Sequence, residues 1–162
     1  LAKMRAARPD IALSGDFIVG FPGETEEDFT ATLNLVDEVA YASAYSFKYS
    51  PRPGTPAATM EDQIAPEIMD DRLSRLHARI NAHQAAFNAA SVGKETEVLI
   101  ERRGRHPNQM IGRSPWLQSV HVETDAIPGD ILRVKLLTDG PRSMTGAMLT
   151  KPALSGVEGV AA

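Results

Sequence analysis

The sequence predicts an α/β unit followed by a small all-β barrel. Three patterns predict it: strand, helix and strand in alternation over residues 11–50, one long helical period after Pro66, and five short strand-like segments with turn residues between them from Val92 onward. The expected boundaries are 1–91 for the α/β unit with its long helix, 92–150 for the barrel and 151–162 for a disordered tail.

In the first unit, residues 11–20 end in Phe17-Ile-Val19, a short apolar run with β-branched residues and a glycine stop. That is the pattern of a strand buried on both faces of a parallel sheet. The chain then passes through Gly20-Phe-Pro-Gly-Glu-Thr25, where Thr25 and Asp28 have the spacing of a capping box and Glu26, Glu27 and Asp28 suit the positive end of a helix dipole. Phe29, Leu33, Val36 and Ala40 recur on one helical face. Tyr45, Phe47 and Tyr49 alternate with Ser46, Lys48 and Ser50, so a second strand is expected to run into a proline-rich loop at 51–56. A connection of this length suits a right-handed parallel crossover, which delivers the C-terminal ends of both strands to one sheet edge. Pro66 suits a first helical turn, and Met69, Leu73, Leu76, Ile80 and Phe87 keep helical spacing to about Ala90. Such a helix is roughly 35 to 40 Å long. It is expected to brace the first unit and bridge to the second.

In the second unit the expected strands are 95–101, 109–113, 119–123, 131–137 and 142–149, broken by Gly104, Pro115, the Pro128-Gly-Asp130 turn and the Asp139-Gly-Pro141 turn. Closing them into a barrel removes free edges and leaves loops to hold a ligand such as an oligonucleotide. The Ala-, Gly- and Ser-rich tail has no periodicity.

Composition narrows the function classes. At 162 residues, 43% hydrophobic and 23% charged, the chain has room for one medium domain or a partial domain with a small one. No apolar run approaches the ~20 residues of a membrane span, and the start lacks a signal-peptide layout. The absence of cysteine excludes disulfides, thiolate-bound zinc and iron–sulfur ligation by this chain. His77, His83, His106 and His121 lack ligand spacing, and no Ser/His/Asp set or carboxylate pair recurs, so neither a metal site nor a hydrolytic centre is expected. The net charge of −4 argues against coating nucleic acid by bulk electrostatics. The distribution is uneven: acidic residues gather early, while Arg102, Arg103, Arg105, Arg113, Arg133, Lys135 and Arg142 come late. The opening on Leu1, without a cap of its own, is expected of a piece of a larger protein.

Three segments carry chemistry. Gly20-Phe-Pro-Gly23 leaves a parallel strand at the edge where α/β folds bind ligands, and its glycines permit close approach; a capped strand-to-helix turn is the alternative. In Ser50-Pro-Arg-Pro-Gly-Thr55 three prolines within six residues set the backbone around Arg52, which suits a phosphate or carboxylate, unless Arg52 is tied to a local carbonyl. Gly112-Arg-Ser-Pro-Trp-Leu-Gln-Ser-Val-His-Val122 holds the only tryptophan. Trp116 and Arg113 suit base stacking and phosphate pairing, or Trp116 plugs the barrel. Arg72, Arg75 and Arg79 form a helical stripe, expected to be a solvated face beside Asp70 and Asp71.

Asp16-Phe-Ile-Val-Gly-Phe-Pro-Gly-Glu-Thr25, Phe47-Lys-Tyr-Ser-Pro-Arg-Pro-Gly-Thr-Pro-Ala57, Phe87-Asn88 with Val92-Gly93, and the 112–122 segment together resemble, in this order, the C-terminal half of the radical-SAM tRNA methylthiotransferases. The resemblance covers about 10–149. It implies the last strands and helices of a radical-SAM partial (β/α) barrel, followed by a five-stranded TRAM barrel that binds RNA. It further implies S-adenosylmethionine and two 4Fe–4S clusters whose ligands lie outside this chain, a deoxyadenosyl radical, and transfer of a methylthio group to carbon 2 of an isopentenylated adenosine beside the anticodon. The partners implied are the tRNA anticodon stem-loop and a missing N-terminal portion of the same polypeptide, in the cytoplasm and without a membrane. Residue by residue, Ile18, Gly20 and Phe21 would wall the adenosyl group. Tyr49, Ser50 and Arg52 would lie near the active-site mouth, and Arg113, Trp116 and Gln118 would face RNA. No catalytic or metal-binding residue falls in this chain, which is expected to be inactive alone. Glu24 stands one place later than the glutamate of many relatives, which gives it no direct role. A stand-alone RNA-binding module, a ribosomal-protein methylthiotransferase and an α/β dimerisation piece are the alternatives. Near-neutral charge in the barrel implies few phosphate contacts and a shallow salt dependence.

Overall fold

The computed structural model describes residues 1–140 and 143–149, so the expectation of a disordered tail falls outside the described residues. The chain divides into two compact units, Leu1–Phe87 and one that begins at Asn88.

The first unit runs α1 (Ala2–Ala7), β1 (Ser14–Val19), α2 (Glu26–Val39), β2 (Ser43–Lys48), a 3-10 turn (Pro56–Thr59) and α3 (Pro66–Ala89), whose last turn passes the boundary. α1 has no side-chain cap and buries nothing. The capping box at the start of α2 is formed: the Asp28 amide donates to Thr25 Oγ1 at 3.1 Å, and the Thr25 amide donates to Asp28 Oδ2 at 2.9 Å. Phe29, Leu33 and Val36 are buried on one face of α2, as their spacing predicts. Ala40 is not on that face. It closes the helix in the left-handed region at φ 46°, its amide donating to the Val36 carbonyl.

β1 and β2 pair in parallel, from Ser14 opposite Ser43 to Val19 opposite Lys48. Val19 joins Phe29, Leu33, Val36, Leu76 and Ile80 in the core, with Phe17, Tyr41, Ala44 and Leu73 against it. The alternate positions point away: Ile18 is 59% exposed, Tyr45 66% and Phe47 56%. The expectation of a strand buried on both faces thus meets a two-stranded sheet covered on one, because α2 and α3 supply apolar side chains to a single side. In β2 the aromatic residues take the open face and Ala44 takes the packed one.

In the second unit β3 (Glu95–Arg103), β4 (Gln109–Arg113), β5 (Ser119–Glu123), β6 (Ile131–Asp139) and β7 (Met144–Met148) close into a five-stranded barrel in the order β3-β4-β5-β7-β6. All pairs are antiparallel except β5 with β7, which are parallel and complete the closure. β4 and β5 lie where their alternation predicts. β3 and β6 each run two residues further, and β7 spans Met144–Met148 of the expected 142–149, residue 142 lying outside the described residues. Val98, Ile100, Met110, Val120, Val122, Leu132, Val134, Leu136 and Met144 fill the interior. Gly112 and Gly146 sit where there is no room for more: a Cβ on Gly112 would come within 2.4 Å of the Leu99 carbonyl oxygen, and one on Gly146 within 3.1 Å of Val120. A bulge at Glu101 interrupts the pairing of β3 with β4, so that Ile100 faces Gly112 while Arg102 faces Ile111.

Candidate functional site

In the first unit the expected residues gather at the C-terminal edge of β1 and β2. The Tyr49 amide donates to the Val19 carbonyl at 2.8 Å, which extends the strand pairing to the lip of the sheet. There the rings of Phe21 and Tyr49 meet edge to face, 5.3 Å between centroids. Ile18 and Phe47 stand opposite each other on the open face just below. Ser50 and Arg52 are exposed in the loop that follows. The Arg52 carbonyl accepts from the Thr55 amide and hydroxyl, at 3.2 and 2.8 Å, so the turn is held while the guanidinium makes no hydrogen bond or ion pair with the described residues.

Gly20 is a glycine for a different reason from the one its sequence suggests. It adopts φ 75°, and a Cβ there would fall 2.2 Å from the Met69 side chain of α3. Its amide donates to Glu24 Oε2 at 2.6 Å. Close approach at Gly20 is therefore used by the protein itself, and the side chains left open at this edge are those of Ile18 and Phe21.

Glu24 and the arginine stripe are what the sequence reading missed. Arg72 is 5% exposed, not solvated, and its Nη1 donates to Glu24 Oε2 at 2.7 Å and to the Glu24 carbonyl at 3.0 Å. One carboxylate oxygen thus ties the Gly20 amide to α3. Arg75 pairs with Glu26 at 2.7 Å and with Asp71 at 3.1 Å, and lies 4.7 Å from the Phe29 ring centroid; Arg79 and His83 both reach Asp37. The Arg75 hydrogen bond holds the Glu26 carboxyl below its ordinary range, and hydrogen bonds from Thr25 do the same for Asp28. The stripe therefore clamps α3 to α2 and the Gly20 loop. Its partners outside α3 lie 42 to 49 residues away, beyond the reach of helical periodicity.

In the second unit the loop between β4 and β5 presents Arg113, Trp116 and Leu117. Leu117 adopts φ 60° and is 66% exposed. Arg113 Nη1 donates to the Leu117 carbonyl at 3.0 Å, and its Nε lies 3.3 Å from Glu101. Trp116 is half-buried and stands outside the barrel core, with Lys94 Nζ 5.5 Å from its ring centroid. It does not plug the barrel.

Gln118 lies inside the unit. It is 9% exposed; its Nε2 donates to Asn88 Oδ1 at 2.8 Å and to Ser91 Oγ at 3.2 Å, and its Oε1 accepts from Ser114 Oγ at 3.3 Å. Asn88, Ser91 and Ser114 are buried too. Ser114 Oγ in turn accepts from the amides of Trp116 and Gln118. This network fixes the turn that carries Trp116, so Gln118 acts from beneath the loop, not on its surface.

The basic residues divide by partner. Arg113 and Arg133 face Glu101 and Glu95. Arg102, Arg103 and Arg105, around the β3–β4 turn, are exposed and make no side-chain hydrogen bond or ion pair with the described residues. No group of three or more metal-ligating side chains occurs, and no helix is long and apolar enough to cross a membrane, among the described residues.

Residues 89–149 match the family model described as the TRAM domain, which the closed five-stranded barrel fits. Over 149 residues, 92% of its length, the chain is 64% identical to a tRNA-2-methylthio-N(6)-dimethylallyladenosine synthase of Erythrobacter litoralis. It is 62% identical over 148 residues to a protein of that name from Novosphingobium aromaticivorans, and 51% identical over 146 residues to another from Bartonella bacilliformis. The second and third matches cover 91% and 90% of this chain, and the chain spans about a third of the length of each of the three relatives. The resemblance drawn from the four motifs is thereby shown, and the relatives favour none of the alternatives.

Proposed function

We propose that this chain serves as the TRAM-bearing portion of a tRNA methylthiotransferase that modifies an isopentenylated adenosine beside the anticodon. The observation that carries this reading is identity of 51 to 64% with synthases of that name over nine-tenths of the chain. In it, the first unit belongs to the radical-SAM partial barrel of 1–91, and the barrel of 92–150 holds the anticodon stem-loop, in the cytoplasm.

The lip of the sheet supports a place for S-adenosylmethionine. Ile18 and Phe21 are exposed and apolar, and the Tyr49 hydroxyl is buried without a hydrogen-bond partner among the described residues. These groups would pack on the adenosyl portion, with Gly20 shaping the turn that aims Phe21. Bound there, and given one electron from a cluster held elsewhere in the polypeptide, the cofactor would supply a deoxyadenosyl radical and methionine. With no cysteine in the chain, the two 4Fe–4S clusters do not fit these residues, and their ligands would come from elsewhere in the polypeptide. Ser50 and Arg52 at the mouth would take an RNA phosphate or the cofactor carboxylate, Arg52 through a guanidinium that has no partner to leave among the described residues. Arg113 and Trp116 would contact RNA, while Gln118 positions them.

The test is a hybrid enzyme in which this chain replaces the matching third of the Erythrobacter litoralis synthase. Methylthio-isopentenyladenosine is measured by mass spectrometry in tRNA from a strain lacking the modification. Restoration of the modified nucleoside is expected. A hybrid that holds its clusters and cleaves S-adenosylmethionine but leaves tRNA unmodified would overturn the reading.

A further inference from the structure

We propose that the β3–β4 hairpin, through Arg102, Arg103 and Arg105, is a phosphate grip of the barrel, separate from the Arg113–Trp116 loop. The inference rests on the RNA reading above and deepens it by assigning backbone contacts to one element and base contacts to another.

The local geometry argues for it first. Val98 and Ile100 face into the barrel, and strict alternation would send Arg102 the same way, into a core with no charge to receive it. The bulge at Glu101 resets the register, so that Glu101 and Arg102 are both exposed. Glu101 turns to Arg113, and Arg102 is left to solvent. Bulges beside binding sites commonly re-aim a side chain in this way.

Second, the turn is built and held. The Gly104 amide donates to the Gln109 carbonyl at 2.7 Å, and a Cβ on Gly104 would fall 2.3 Å from the Gln109 side chain. Gln109 Oε1 accepts from the Arg105 amide at 3.1 Å. Asn108 takes φ 58°, and its carbonyl accepts from the Thr124 amide at 2.8 Å. Three arginines are thus carried on a short pinned turn, with little backbone ordering left to be lost on binding.

Third, the charges here differ from those elsewhere on the barrel. On the β3–β6 face, Glu97 stands opposite Arg133 and Glu95 opposite Lys135, and Arg133 reaches Glu95 at 3.4 Å. Arg133 already has its carboxylate, and Lys135 stands across from one. Around the hairpin, Glu123 lies opposite Gln109 with Asp125 two residues on, and neither pairs with an arginine among the described residues. Unpaired guanidiniums on a rigid turn match phosphate oxygens in charge and fork geometry. With three such contacts the salt dependence stays shallow beside that of proteins contacting six to ten phosphates.

The experiment uses the intact chain and a fluorescein-labelled RNA hairpin, with a second hairpin of scrambled loop sequence, and reads anisotropy across a KCl series. A variant combining Arg102→Gln, Arg103→Gln and Arg105→Gln is compared with Arg133→Gln, whose arginine already has Glu95. Each phosphate contact contributes about 0.7 to 0.9 to the slope of log affinity against log salt, so the triple variant should lose about 2 to 3 of that slope. It should weaken both hairpins alike, and Arg133→Gln should keep the parent slope. A triple variant with the parent slope and affinity, or one weakened on only one hairpin, overturns the phosphate grip while the RNA reading stands. No binding of either RNA by the unsubstituted chain overturns both.

Discussion

The two units solve the problem of an exposed sheet in opposite ways. The barrel pairs every strand on both sides and fills its interior with Val98, Ile100, Val120, Val122, Leu132, Val134 and Leu136, while Leu117, Ile127 and Ile131 stay exposed outside it. The first unit has two parallel strands, one face packed under α2 and α3, and Ile18, Tyr45 and Phe47 exposed on the other. Free edges and an open apolar face are what a sheet shows when part of its surroundings is supplied by something else. Similar patterning thus yields one closed sheet and one with free edges and an open face.

The largest expected effect comes from separating them. Residues 88–149 alone should give a well-dispersed amide NMR spectrum, and residues 1–87 alone should be poorly soluble. A dispersed, monomeric spectrum from 1–87 would erase the contrast.

Next come the two buried polar anchors. Arg72→Ala removes the partner of a Glu24 side chain that is 11% exposed, and should destabilise the first unit by about 3–5 kcal/mol. Gln118→Leu leaves Asn88, Ser91 and Ser114 short of partners and should cost the second unit about 1–3 kcal/mol. Trp116, the only tryptophan, reports the barrel by fluorescence, while far-UV circular dichroism follows the helices. Arg72→Ala should shift the dichroism transition and spare the fluorescence one in urea, and Gln118→Leu should do the reverse. Coincident shifts in both variants would show the units unfolding as one.

The smallest effect is on pH. Glu26 and Asp28 have depressed folded-state pKa values, so their contribution is present above the ordinary carboxylate range of about 4 and is lost as pH falls through the folded values. Acidification below about 4 should therefore weaken α2 before it affects the barrel. Thr25→Ala, which removes the cap, should cost about 1 kcal/mol at neutral pH and flatten that acid loss. An acid transition unchanged by Thr25→Ala would leave the capping box without a part in it.

Much of the fold was legible because its signals are local. Alternation placed β4 and β5, helical spacing placed α3, and Thr25 with Asp28 marked the start of α2. The site was less legible. Phe21 and Tyr49 lie at the C-terminal edge of the sheet and Trp116 between β4 and β5, as the strand pattern places them, but Gln118 reads as a surface residue between two strands and proves to be the anchor beneath them.

By itself, then, the sequence determined the longer helices and the strands, their order, and that the second half closes on itself, but not α1 or the 3-10 turn, because periodicity, caps and turn residues act within a few positions. Only the tertiary structure decided which face of β1 and β2 is covered, that β5 and β7 meet in parallel, that Glu101 bulges and frees Arg102, and that Arg72 and Gln118 are buried. The destination of a long polar side chain depends on what the fold brings opposite it. Arg72 finds Glu24 across 48 residues and Gln118 finds Asn88 across 30, separations over which no local pattern carries information.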